Sequence, residues 1–214
     1  MTKRLLIVSN RLPITILQQG SEYITQDSVG GLATGLGSIY TKRDSLWIGW
    51  PGIILDKITL ADTEKISRIL EKKQCTPVFL TAYEYEHYYN ELCNNAIWPL
   101  FHTFYQYVHY NPSDWETYVQ VNQKFCETVC SVARPGDIIW VHDYQLMLLP
   151  GMIRERIPDA TIGFFLHIPF PPYELFRLIP GNKELLAGLV GADLIGFHTF
   201  EYLHYFLNTI RRIL

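Results

Sequence analysis

Short, unbroken apolar runs, each shut off by polar or turn-forming residues, set the strongest limit on how this chain can fold. Leu5-Leu6-Ile7-Val8 stops at Ser9-Asn10-Arg11, Ser45 to Trp50 stops at Pro51-Gly52, and Asp137 to Val141 gives way to His142-Asp143. Pro77 to Leu80, Thr161 to Ile168 and Asp193 to Phe197 have the same character. None of them alternates apolar with polar residues, as a strand with one wet face does. Runs of this kind read as strands buried on both faces, which occur in parallel sheets covered by helices.

Helical patterns lie between the runs. Asp62 to Lys73 places Ile66, Ile69 and Leu70 on one side. Thr81-x-x-Glu84 forms a capping box that opens a helix through Tyr85, Tyr88 and Tyr89, and Ser113-x-x-Glu116 forms another before Tyr118, Asn122, Phe125 and Val129. Further helices are expected over Gln145 to Arg156 and Asn182 to Val190. Thr15 to Gln26 reads as a hairpin turning at Gln19-Gly20-Ser21, and Gly30 to Tyr40 as a helix with a glycine-rich start. The expected fold is one α/β domain, a Rossmann-like doubly wound parallel sheet, with ligands beyond the carboxyl ends of the strands.

Composition narrows the class. At 48% hydrophobic over 214 residues the chain can bury a large core, and a net charge of −3 argues against a nucleic-acid binder. Leu5 to Val8 is too short for a signal h-region, so a cytoplasmic chain is expected. Cys75, Cys93, Cys126 and Cys130 read as reduced thiols packed as small hydrophobes. The apolar face of Phe200, Leu203, Phe206, Leu207, Ile210 and Ile213 runs to Leu214 without a stop signal, from which we expect more protein to follow.

The strand ends carry the chemistry. Arg11 follows the first strand, where its guanidinium could grip a phosphate at two points or pair with a surface carboxylate. Gly30-Gly31 opens a helix whose backbone N–H groups and dipole suit a diphosphate, although glycines there equally serve close packing. Asp143, in His142-Asp143, could take hydrogen bonds from sugar hydroxyls or cap a helix. A metal-bound His-Asp dyad ranks below the sugar reading, because a strand precedes the pair and no further ligand set is visible. His167 ends its strand before the stiff turn Ile168-Pro169-Phe170-Pro171-Pro172, either held in position for function or simply packed. Aromatic residues crowd the stretch from Trp47 to Tyr107, Trp50, Tyr89 and Trp98 among them. Aromatic faces suit the C–H face of a pyranose.

Taken together, these segments resemble the N-terminal domain of the trehalose-6-phosphate synthases. The resemblance is carried in order by Val8-Ser9-Asn10-Arg11, Gly30-Gly31-Leu32-Ala33, Leu46 to Trp50, Tyr88-Tyr89-Asn90, Trp98 to His102, Ile138 to Tyr144 and Gly163 to Pro171. It implies a GT-B fold of two Rossmann-like lobes, with residues 1–214 forming the N-terminal acceptor-binding lobe and the donor-binding lobe absent from this chain. The implied reaction is metal-independent and retaining: glucose passes from UDP-glucose to glucose 6-phosphate, giving trehalose 6-phosphate and UDP. Position by position, Arg11 resembles a ligand of the acceptor phosphate. Trp50, Tyr89, Trp98 and Asp143 resemble the acceptor-sugar pocket. Gly30 and Gly31 resemble the donor-diphosphate contact, and His167 the histidine against the transferred glucose. Asp143 and His167 are thus the catalytic candidates.

The resemblance supplies no match for the family's donor-side Arg, Lys and carboxylates. An isolated acceptor lobe is therefore expected to bind glucose 6-phosphate weakly and to transfer nothing. A non-catalytic sugar-phosphate sensor of the same family is the alternative.

Overall fold

A computed structural model describes residues 3–20, 22–28, 31–42 and 44–214, and the statements that follow concern those residues. The strands are β1 (Leu5–Arg11), β2 (Ile14–Gln19), β3 (Glu22–Asp27), β4 (Ser45–Trp50), β5 (Cys75–Pro77), β6 (Ile138–His142), β7 (Thr161–Phe165) and β8 (Leu194–Gly196). The α-helices are α1 (Gly31–Lys42), α2 (Leu60–Glu71), α3 (Ala82–Glu84), α4 (Trp98–Phe101), α5 (Pro112–Val132), α6 (Leu149–Arg156), α7 (Tyr173–Phe176), α8 (Asn182–Leu189) and α9 (Phe200–Ile213). A π-helix, Tyr85–Ile97, joins α3 to α4.

Six parallel strands form one sheet in the order β5-β4-β1-β6-β7-β8. The chain starts at the centre, winds outward through β4 and β5, then returns to the other side of β1 with β6. That reversal is the doubly wound switch point, and it opens a crevice beyond the carboxyl ends of β1 and β6.

β1 shows why the runs do not alternate. Leu6 and Val8 enter a large core with Tyr118, Val121 and Phe125 of α5 and with Leu185 and Leu186 of α8. Leu5 and Ile7 enter a second core with Ile66 and Leu70 of α2 and with Ile14, Ile16 and Tyr23 of the hairpin. Both faces are dry along Leu5 to Val8, so those four positions are all apolar.

Several boundaries differ from expectation: β1 continues through Ser9 and Asn10 to Arg11, β7 ends at Phe165, and α6 starts at Leu149. β5 starts at Cys75, upstream of the expected Pro77 to Leu80 run, because Cys75 pairs with Trp47 and Pro77 has no N–H to extend the ladder. Helix α5 is capped by Asn111, whose side chain accepts the Ser113 N–H at 3.3 Å, with Pro112 in the first turn. The expected Ser113–Glu116 box is displaced by this earlier Asn-Pro start, which suits a helix N-terminus better. The Thr81–Glu84 box forms as expected, with bonds of 2.8 and 3.1 Å. A Thr59–Asp62 box, which the periodicity of the sequence does not reveal, starts α2.

The proline turn after β7 is clamped by aromatic rings. Phe170 stacks on Phe176 at 5.0 Å and meets Phe101 and Phe206 edge-on at 5.7 and 5.3 Å. These contacts fix the segment that carries His167. Among the described residues no helix is long and apolar enough to cross a membrane.

Candidate active site

A cavity of about 380 Å³ opens beyond the carboxyl ends of β1 and β6. Ser9, Asn10, Trp47 and His142, all nearly inaccessible, lie at its base. The side walls come from Arg11, Tyr89, Asp143 and Gln145, and the hairpin contributes Thr15, Gln26 and Asp27 with Ser28 beyond it. The base is held by its own hydrogen bonds: Trp47 Nε1 donates to Ser9 Oγ at 2.7 Å, and the Tyr88 hydroxyl donates to Asn10 Oδ1 at 3.1 Å. A larger hollow of about 670 Å³ lies at the other end of the sheet, beside Arg4 and Arg134, away from the switch point.

Arg11 is exposed at the cavity wall, with its guanidinium carbon 5.1 Å from the Trp50 ring centre. Its Nη2 donates to Thr15 Oγ1 at 3.4 Å, and among the described residues no carboxylate pairs with it. Trp50 itself is buried, donating from Nε1 to the Ile53 carbonyl at 3.0 Å. Its ring packs on Tyr85 at 4.8 Å, and Tyr85 stacks on Tyr89 at 5.4 Å. Trp50 therefore supports Arg11 from beneath and does not line the cavity.

Asp143 stands at φ 75° and ψ 169°, a backbone conformation that a non-glycine residue seldom adopts. Its Oδ1 accepts the Tyr144 N–H at 3.0 Å and the His167 N–H at 3.1 Å. Burial pushes its carboxyl up to about 6, against the lowering effect of those two N–H groups. His142 Nδ1 lies 3.0 Å from His167 Nε2. Burial first, then the neighbouring ring, brings His142 down to about 3 and His167 down to about 4. The neighbour acting on His167 is His198, whose ring centre is 5.8 Å away. Both imidazoles, His142 buried and His167 half-buried, are neutral near pH 7.

Trp98 sits apart from the cavity lining. It begins α4, is 39% exposed, and stacks on His102 at 4.0 Å. Gly31 opens α1 a few residues past Ser28, and a Cβ built on it would meet nothing within 4 Å. Gly30 lies outside the described residues.

The hairpin wall was not anticipated from the sequence, because nothing local to Thr15 or Gln26 marks a ligand contact. The contact between His142 and His167 was also missed, although a signal was present. His142 closes β6, and His167 and His198 each follow the next parallel strand by two residues. Neighbouring strands of a parallel sheet bring such positions side by side.

The sequence profile of glycosyltransferase family 20 matches residues 3–214. A UDP-forming alpha,alpha-trehalose-phosphate synthase A of Dictyostelium discoideum is 40% identical over 212 residues, covering 98% of this chain and 28% of the relative. A UDP-forming alpha,alpha-trehalose-phosphate synthase of Emericella nidulans is 42% identical over 216 residues, covering 99% of this chain and 42% of the relative. The chain thus spans less than half of either relative. Among solved structures, an E. coli protein described as bound with UDP-2-fluoro glucose superposes with a TM-score of 0.79 at 29% identity, covering 98% of this chain and 43% of that one. An alpha,alpha-trehalose-phosphate synthase from Burkholderia xenovorans, in complex with glucose-6-phosphate, gives 0.78 at 26% identity, covering 99% and 43%.

Proposed function

The chain belongs to glycosyltransferase family 20, and on that premise we propose that it is the acceptor-binding lobe of a retaining transferase. The reaction moves glucose from UDP-glucose to glucose 6-phosphate, releasing UDP and trehalose 6-phosphate. The observation that carries this reading is the convergence of Arg11, Tyr89 and Asp143, far apart in sequence, on one cavity at the switch point. The naming of the relatives and the glucose-6-phosphate complex of a structural neighbour support the same acceptor.

In this reading Arg11 takes the acceptor phosphate through its planar fork, pre-oriented by Trp50. Asp143 accepts from a sugar hydroxyl, and Tyr89 offers an aromatic edge or hydroxyl beside it. His167 lies against the transferred glucose. A leaving phosphate oxygen takes the proton of the acceptor hydroxyl, so the protein positions the partners and stabilises charge instead of supplying a nucleophile. The donor diphosphate is met by cations of a facing lobe and by backbone N–H groups at the start of α1, with no metal ion required. A cytoplasmic setting is part of the proposal, supported by four cysteines that are all free thiols.

Titration calorimetry with glucose 6-phosphate, glucose and inorganic phosphate tests the reading on this chain. We expect weak binding that needs both the hexose and its phosphate, and no glucose transfer by the 214 residues alone. Arg11→Ala removes a charge-assisted contact of about 1.5–3 kcal/mol, a ten- to hundredfold loss of affinity. Unchanged affinity in that variant, or glucose 6-phosphate binding no better than inorganic phosphate, refutes the assignment.

A further inference from the structure

We infer that His142 is a positioning residue that locks the ring of His167 in the tautomer carrying its proton on Nδ1. The two rings face each other across the ends of β6 and β7, with His142 Nδ1 3.0 Å from His167 Nε2. Two neutral imidazoles at that distance share one proton, so one ring donates and the other accepts.

The surroundings decide which ring donates. His142 is 1% exposed, and its Nε2 is buried without a hydrogen-bond partner among the described residues. If His167 donated, His142 would have to carry its proton on Nε2, leaving a buried N–H orphaned. If His142 donates from Nδ1, its Nε2 is left as a bare lone pair. Orphaned buried N–H groups are rarer than under-used acceptors, which selects the second arrangement. His167 then accepts at Nε2 and must hold its own proton on Nδ1.

The backbone is shaped for this contact. Successive side chains of a strand point to opposite faces, so His142 and Asp143 should not reach the same neighbour. The positive φ of Asp143 breaks that alternation. Asp143 Oδ1 then holds the His167 N–H at 3.1 Å while His142 holds its ring. The Trp140 ring, with its centre 4.5 Å from that of His142, limits movement from the side.

This assigns to His142 a role that a merely packed histidine would not have. It leaves His167, which stands behind the cavity lining, with Nδ1–H as the donor of its ring. The consequence for the transferred sugar rests on the function proposed above; the tautomer itself does not.

Long-range proton–nitrogen NMR of the 214-residue chain, labelled with 15N-histidine, reads the tautomers without any ligand or activity. We expect both His142 and His167 to show protonated Nδ1 and bare Nε2 at pH 7. His142→Asn, whose amide can place an N–H near the same point, should keep His167 in that form. His142→Leu should let the His167 nitrogens move toward the averaged shifts of a mixed tautomer. A protonated Nε2 on either wild-type ring overturns the inference, even if the leucine variant fails to fold. A single, unchanged His167 tautomer in a folded leucine variant overturns it equally. Failure of glucose 6-phosphate to bind would leave these spectra as they are, so the two readings fail separately.

Discussion

The carboxylate of Asp143 accepts the backbone N–H of His167 at 3.1 Å, tying the end of β6 to the end of β7. The same Oδ1 accepts the Tyr144 N–H, yet burial still pushes the carboxyl up to about 6. The charge is thus retained at a cost to folding. Asp143→Asn keeps an oxygen for both N–H groups and removes the charge, so it should raise the urea midpoint at pH 7, by about 1–2 kcal/mol of stability. Asp143→Ala strands both N–H groups and should lower it by about 1–3 kcal/mol. The opposite order of the two variants in urea titrations would show that the carboxylate charge is not the strained component.

Arg11 rests on Trp50 at 5.1 Å and leans on Thr15, so its fork is held in place, as the proposed phosphate contact requires. Lysine keeps the charge but neither the plane nor the two-point geometry. Arg11→Lys should weaken glucose 6-phosphate binding about tenfold, at an unchanged melting temperature because the residue is exposed. Calorimetry and thermal melts on one preparation separate these effects. A lysine variant that binds like the wild type would reduce Arg11 to a simple point charge.

His142 and His167 make stability depend on pH. An unfolded histidine titrates near 6.5, whereas folded His142 and His167 are brought down to about 3 and about 4. Between these values the unfolded chain binds more protons. Their contribution is therefore fully present above about pH 6.5 and is lost as pH falls toward 4. Asp143 runs the other way: its folded value of about 6, against 3.8, adds stability as pH falls through 6. Two histidines outweigh one carboxyl, so the urea midpoint should drop between pH 7 and pH 5. Asp143→Asn lacks the offset and should drop more steeply. A flat wild-type profile, or parallel profiles for the two proteins, would contradict this balance.

The sheet was legible because its strands are buried on both faces. The apolar runs Leu5 to Val8 and Ile138 to Val141 mark where β1 and β6 lie, and Arg11, Asp143 and His167 stand at or just beyond the ends of their strands. What escaped was set by tertiary placement. Thr15 and Gln26 look like any hairpin residues until the hairpin is folded against the end of β1. The periodicity of Tyr85, Tyr88 and Tyr89 told of a helix but not of its π winding, which stacks Tyr85 on Tyr89. Trp50 read as an aromatic surface for a sugar, whereas packing on Tyr85 turns it into the support of Arg11.

Two glycines in helices should respond in opposite directions, because one has room for a methyl group and the other does not. A Cβ at Gly188 of α8 would lie 2.5 Å from the Met147 carbonyl oxygen and 2.7 Å from Leu148 Cα. Both are backbone atoms just before α6, and they cannot turn aside as a flexible side chain could. Next to this contact, a Cβ on Gly151 would lie 2.9 Å from Gly188 Cα, so α6 and α8 meet backbone to backbone. Gly188→Ala must push the helices apart and should cost about 1–3 kcal/mol. Gly35, inside α1, would meet nothing within 4 Å of an added methyl group and has an ordinary φ. Gly35→Ala should stabilise by about 0.5–1 kcal/mol, since alanine loses less backbone freedom on joining a helix. Urea midpoints of the two variants against the wild type decide the matter. A tolerated Gly188→Ala would mean that α6 and α8 are free to separate, and with them the frame that carries the end of β6.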